Sequence, residues 1–592
     1  MRIGLLTEGG YPYVSGDARL WCDRLVRGLA QHEFDVYALS RSEHQEDEGW
    51  TPLSPNVRRV RTAPLWMAGG DGAILGRRAR RRFTEHFSEL AAVLCGASGS
   101  VPVAGGASTS GENSQAGGAS TSGENSQAGG APTPEADRFG NALYGLAELA
   151  REEGGLAGAL RSEAAVRTLE RACRAPGAHR AAREARVPDL LAVAAHLERA
   201  LRPLSLDWYE DDGLGAVDLC HAASGGPAAL PGLLARHFTG VPLLVTEYGV
   251  RLRTHYLTAP DAPPAVRSLL AAFHGRLAAE AYGQAEVVTA GNTHARRWQE
   301  RCGADREKLR TVYPGMDARP FAEVGESVEC ADPDALVWIG RVEPAKDLVS
   351  LLHAFAEVRK QEPKTRLRIV GAPAGTEGAA YLAHCRALAA QLFPDEAEGP
   401  HAAGHNPVSF EEVGGPELPV PADAYASGAV TVLSSVVEGF PISLVEAMLC
   451  GRATVSTDVG AVVEVIGGTG LVVPPRNPRA LAEACVALLR DPERRERLGA
   501  AARARALELF TVEQNIEAFH GIYLEIVSRA PVRHGVLDAS GEPLPFAVPA
   551  EARVPVRWAA PAPGLAARGG PGWAGGGPVR ATTSVPAPER AR

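Results

Sequence analysis

A chain of 592 residues is too long for a single hydrophobic core and divides into two or more domains. Its 45% hydrophobic and 22% charged residues are ordinary for a globular protein, and a net charge of -9 without a basic stripe argues against a general nucleic-acid binder. No continuous apolar run reaches the ~20 residues of a membrane helix, and the nine cysteines, free of Cys-x-x-Cys pairs and of metal-ligand spacing, suit reduced, buried thiols in a cytoplasmic protein.

The chain opens with an apolar first strand, Arg2-Ile3-Gly4-Leu5-Leu6-Thr7, which meets Glu8 and a glycine turn before a signal-peptide core can form. Gly9-Gly10-Tyr11-Pro12-Tyr13-Val14-Ser15-Gly16-Asp17 is a glycine-rich turn but not a GxGxxG fingerprint, so packing alone can account for it. Leu20, Trp21, Leu25 and Leu29 then recur at helical spacing, and Phe34 to Leu39 reads as a second strand, giving a βαβ start of the doubly wound kind. From Ala97 the composition changes: Ala-Gly-Gly-Ala-Ser-Thr-Ser-Gly-Glu-Asn-Ser-Gln occurs at 104–115 and again, unchanged, at 116–127. With almost nothing to bury, 97–137 reads as a disordered low-complexity insertion. Arg138 to Leu204 is rich in Ala, Leu, Glu and Arg and is expected to be helical. Strands ending near Leu219, Thr246 and Ala290 follow, and lead into Cys220-His221, Glu247-Tyr248-Gly249 and Gly291-Asn292. Ligands of open α/β sheets bind beyond such strand ends, although a single histidine there serves equally well to cap a backbone group.

Thr311 to Asp317 reads as a last short strand and turn, and Phe321 to Pro333 as a crossing to a second α/β series. Ala335-Leu336-Val337-Trp338-Ile339 is a buried strand, and Arg341-Val342-Glu343-Pro344-Ala345-Lys346-Asp347 is the loop that precedes a helix. An arginine fork and a lysine point charge just after a strand can both reach one diphosphate; solvated loop charges are the plainer reading. Strands at Leu367–Val370, Ala429–Leu433, Ala453–Ser456 and Gly470–Val473 alternate with helices, and Thr511 is an N-cap for a last helix running to about Arg529. Between two of these elements lies Glu438-Gly439-Phe440-Pro441-Ile442-Ser443-Leu444-Val445-Glu446, with Pro441 as first helical residue. A loop opening a helix offers free amides and the positive end of the dipole to a phosphate, and two carboxylates beside it suit sugar or ribose hydroxyls. A solvated Glu438 and a helix-filling Glu446 are the alternative. From Pro531 onward seven arginines stand against four acidic residues among Pro, Gly and Ala, as in a disordered tail.

Gly340-Arg341-Val342-x-Pro344-x-Lys346-Asp347 together with Glu438-x7-Glu446 resembles the retaining glycosyltransferases of family 4. Thr7-Glu8-Gly9-Gly10-Tyr11-Pro12-Tyr13-Val14-Ser15-Gly16, followed by Trp21-Cys22, looks more narrowly like their PelF-type branch, which is linked to exopolysaccharide synthesis from UDP-glucose. The resemblance implies a GT-B fold, two doubly wound Rossmann-like α/β domains facing across a cleft. The domains expected are 1–325 for the acceptor, 326–510 for the nucleotide sugar, a helix at 511–530 returning toward the N-terminal domain, and a tail at 531–592.

The resemblance also implies roles. Arg341 and Lys346 hold the donor diphosphate; the segment Phe440, Pro441, Ile442 and Ser443 adds amides to it; Glu446 takes the ribose hydroxyls and Glu438 the transferred sugar. Gly10 and Gly16 let the N-terminal loop approach the phosphates, and His221 and Tyr248 stand on the acceptor side. The family has His where this chain has Tyr248, and Gly where it has Asp17. No metal or other cofactor is implied. The expected reaction moves a hexose, glucose by the resemblance, from a UDP-sugar to a glycan or exopolysaccharide acceptor, with a membrane-associated export partner and no nucleic acid. An inositol-phosphate type of small-acceptor transferase and a non-catalytic nucleotide-binding scaffold are the other readings.

Overall fold

The computed structural model describes residues 1–15, 19–66, 75–96, 134–258, 261–327, 331–393, 406–415 and 418–530. Gly16, Asp17, nearly all of the 97–137 insertion and the 531–592 tail lie outside the described residues. Among those described, no helix is long and apolar enough to cross a membrane. The described residues belong to one compact unit built on two parallel sheets.

The first sheet holds β1 (Arg2–Glu8), β2 (Glu33–Ser40), β3 (Val57–Pro64), β4 (Leu219–Ala222), β5 (Leu243–Glu247), β6 (Val287–Ala290) and β7 (Leu309–Thr311), in the order β3-β2-β1-β4-β5-β6-β7. The second holds β8 (Ala335–Ile339), β9 (Arg366–Val370), β10 (Val408–Glu411), β11 (Val430–Leu433), β12 (Ala453–Thr457) and β13 (Leu471–Val473), in the order β10-β9-β8-β11-β12-β13. Every ladder in both sheets is parallel, as in Ile3↔Phe34 and Ile3↔Leu219 around β1 and Leu336↔Val430 between β8 and β11. Both orders are doubly wound, because the chain reverses its direction of travel once, between β1 and β4 and between β8 and β11. The crevice beyond the carboxyl ends of those strands is where such a sheet takes ligands.

The central strands are continuous runs of buried residues, as strands covered on both faces require. The edges read differently. β3 carries Arg58, Arg59 and Arg61, which pair with Glu33 and Asp212, and neither β3 nor β10 stands out from the sequence as a strand. β4 begins at Leu219, so Cys220 and His221 lie inside the strand and not after it. The expected helical stretch forms the helices Pro134–Glu153, Leu156–Leu160, Glu163–Cys173, Arg180–Arg183 and Val187–Leu201, and the first of these begins inside the range assigned to the insertion. They share one core with Arg77–Cys95, which brings the sulfurs of Cys95 and Cys173 to 3.5 Å.

The last helix, Val512–Arg529, starts from a Thr511 cap and lays Phe519, Ile522, Tyr523 and Ile526 against Ile3, Leu5, Cys22 and Leu25 of the N-terminal half. Where the chain returns, the Met316 amide donates to Phe510 O at 2.8 Å and the Val512 amide to Met316 O at 3.1 Å, so the two connections between the halves run side by side.

Candidate functional site

The loops after β8 and β11 meet at the reversal point of the second sheet. Pro344–Lys346 is one turn of 3-10 helix, and Asp347, in the left-handed region at φ 48, caps the helix Leu348–Gln361 by accepting from the Ser350 amide at 3.2 Å. That turn is tied to the other loop by Val436 N donating to Ala345 O at 2.9 Å and by Ser434 Oγ donating to Lys346 O at 2.7 Å. Its geometry carries Lys346 Nζ onto Glu438 Oε1, 92 residues away in sequence, to form an ion pair with side-chain exposures of 16% and 8%. Ser435 Oγ donates to the same carboxylate oxygen at 2.7 Å. Arg341 stands exposed at the start of the loop, with no side-chain partner among the described residues.

The helix Ile442–Leu449 opens beside this pair. Pro441 is its N-cap and not its first helical residue, and its carbonyl accepts the amides of Leu444 and Val445 at 3.1 and 3.2 Å. The amides of Phe440, Ile442 and Ser443 have no partner among the described residues, and so remain available to an anion. Glu446 lies further along the same helix. Burial pushes its carboxyl above the usual range, against the Tyr425 hydroxyl, which donates to it at 2.7 Å, and the charge of Arg24. The structure thus brings Lys346 and Glu438 together beside a helix start with three free amides, with Arg341 at the head of the same loop as Lys346 and Glu446 further along that helix.

On the N-terminal side the expectations need correction. His221 does not face the acceptor side. It is 0% exposed, with Nδ1 2.7 Å from Tyr523 Oη and Nε2 2.7 Å from Thr246 Oγ1, and burial pushes its pKa down to about 3. The residue points into the core because the last helix covers that face of β4. Tyr248, at the end of β5, accepts from Asn515 Nδ2 at 3.1 Å and packs edge-on against Trp21, so its hydroxyl is engaged inside the fold. Gly10 is buried, and its carbonyl accepts from the Tyr13 amide at 3.0 Å, closing the turn after β1 on itself.

Other groups, to which the sequence assigned no role, reach the crevice. Glu8, at the end of β1, is 3% exposed and bridges Arg251 at 2.5 Å and Arg41 at 3.2 Å. Burial works to raise its carboxyl, but the two guanidiniums outweigh it and hold the pKa below the usual value. Arg253 Nη2, from the helix Arg251–Thr258, crosses to the other half and donates to Glu438 O at 2.9 Å. Glu464 accepts from the Thr293 amide at 2.7 Å and the Tyr313 hydroxyl at 2.8 Å, again across the halves. A cavity of about 270 Å³ lies between Arg253, His294 and Trp298 on one side and Val437, Glu438 and Gly460 on the other. A second cavity, of about 320 Å³, is lined by Arg236, Pro242, Glu286 and Arg529 at the opposite, amino ends of the strands, remote from these groups.

Residues 1–307 match the family described as "Domain of unknown function (DUF3492)", and residues 333–491 match "Glycosyl transferases group 1". A D-inositol 3-phosphate glycosyltransferase of Streptomyces bingchenggensis is 30% identical over 268 residues, 42% of this chain and 56% of the relative. One of the same name from Kineococcus radiotolerans is 31% identical over 252 residues, 38% of this chain and 55% of the relative. The chain thus spans little more than half the length of these curated relatives. Among solved structures, Anabaena Alr3699/HepE in complex with UDP shares the fold, with a TM-score of 0.50 at 14% identity over 89% of this chain and 100% of that one.

Proposed function

As the chain belongs to the family of the domain of unknown function DUF3492 and carries a glycosyl transferases group 1 domain at 333–491, we propose that it is a retaining glycosyltransferase which moves a hexose, glucose in the first instance, from a UDP-sugar to a glycan acceptor. The observation that carries this reading is the ion pair of Lys346 with Glu438 at the reversal point of the second sheet, beside three free amides.

Bound donor would draw Lys346 toward its diphosphate and free Glu438 for the sugar hydroxyls, while exposed Arg341 and the amides of Phe440, Ile442 and Ser443 take further phosphate oxygens. Glu446 would accept from the ribose. The bond from sugar C1 to the diphosphate oxygen breaks, the acceptor oxygen bonds to C1 on the same face, and its proton passes to a donor phosphate oxygen. The charge left on the diphosphate is met by groups already in place, which is the main source of rate in such a site. Exopolysaccharide synthesis of the PelF type is the corresponding biological reading.

The names of the relatives favour a second reading, a phosphorylated cyclitol as acceptor. UDP release from a panel of UDP- and GDP-sugars, alone and with gluco-oligosaccharides or inositol phosphate, tests both. Release from one UDP-sugar should fall by on the order of 10²-fold or more in Lys346→Ala, and recover in part in Lys346→Arg. Measurable UDP binding with no release from any donor would instead support a nucleotide-binding scaffold.

A further inference from the structure

We propose that the cavity between the halves beside Glu438 is a subsite for one pyranose ring of the acceptor, seated on Trp298; this rests on the transferase reading and names the residues that would hold its acceptor. The helices Arg251–Thr258 and Thr293–Arg301 bring Arg253, Tyr256, Leu257, His294 and Trp298 to one wall, and the opposite wall is the loop that ends in Glu438. The volume, about 270 Å³, falls just below the ~300–1,000 Å³ of drug-sized ligand sites and suits a single ring.

The chemistry of the walls is that of a sugar ring. A pyranose has an apolar C–H face and a rim of hydroxyls. Trp298, Tyr256 and Leu257 offer an apolar platform, and Leu257 is 47% exposed with nothing covering it among the described residues. Arg301, 5.3 Å from the indole centre, steadies the platform. Two polar groups then aim at the rim. Among the described residues, the buried Nε2 of His294 finds no partner, and Arg253 spends one of its five N–H groups, on Glu438 O. Burial, with the charges of Arg253, Arg297 and Arg301 nearby, lowers the pKa of His294, and the carboxylate of the lining, Glu438, is already paired with Lys346. Because Arg253 holds the backbone of Glu438 itself, a ring in this cavity abuts the residue expected to touch the transferred sugar.

Calorimetric titration of a panel of pyranose oligosaccharides into the UDP-bound protein, with UDP release measured in parallel, tests the subsite. Saturable binding of an uncharged oligosaccharide should weaken at least tenfold in Trp298→Ala and His294→Ala, and return in Trp298→Phe. UDP affinity and acceptor-free UDP release should be unchanged in all three, which separates this inference from the donor reading. Oligosaccharide binding indifferent to Trp298, no binding by any pyranose, or competition by inositol phosphate alone would each overturn it.

Discussion

Both ring nitrogens of His221 are spent on neutral hydroxyls in a dry site, so the imidazole resists protonation down to a pKa of about 3 against ~6.5 in an unfolded chain. The native state therefore binds fewer protons than the unfolded state below pH ~6.5, and stability is lost as the pH falls from there toward 3, by up to ~1.4 kcal/mol per pH unit for this group. His32 and His196, each pushed down to about 4 by burial, add in the same direction. Urea melts at pH 7.5 and 5.5 should show a loss on acidification that shrinks in His221→Gln, at a cost of about 1–3 kcal/mol at the higher pH. A second local constraint lies at Gly460. Its φ of +58 is left-handed, and a Cβ there would run into the carbonyl of Glu438 that receives Arg253. Gly460→Ala should cost roughly 1–3 kcal/mol in strain and, by displacing the Glu438 loop, cut UDP release at least tenfold.

The last helix is the element on which the N-terminal half depends from outside its own sequence. Thr511 Oγ1 accepts from the Gln514 amide at 3.4 Å to start it, and Tyr523 and Phe519 complete the aromatic layer around His221 and Trp21. Thr511→Ala should lower stability by about 1 kcal/mol, read as a shift of the urea midpoint with an unchanged slope. The helix was legible from its cap and apolar spacing, and its return toward the N-terminal half only from the family resemblance, since amphipathic spacing shows that a face is buried and not against what. Edge strands failed the opposite way. β3, Val57-Arg58-Arg59-Val60-Arg61-Thr62-Ala63-Pro64, has no clean apolar run or alternation because an edge strand is only partly covered, and its arginines find Glu33 and Asp212 instead of a core.

At the scale of the molecule the two halves are joined, among the described residues, by polar ties from Arg253 to Glu438 O and from Glu464 to Thr293 and Tyr313. Ties of this kind suit halves that close on a donor and open to release it. Glu464→Ala removes two of them and is expected to raise the radius of gyration without UDP, measured by small-angle scattering, while added UDP restores compaction. An unchanged radius with and without UDP would dismiss closure as a function of these contacts.

The sequence by itself determined the two parallel α/β halves, a capped last helix, and the residue types at the crevice of the second sheet, because apolar periodicity, proline and glycine positions and local charge patterns act over a few residues. Tertiary structure alone decided the rest. Lys346 reaches Glu438 only because β8 and β11 are neighbours in the sheet, and Arg253 meets the same residue only across the halves. His221 turned out to be a core residue for an equally physical reason. Successive side chains on a strand point to opposite faces, and which face is covered was set by a helix 302 residues further along the chain.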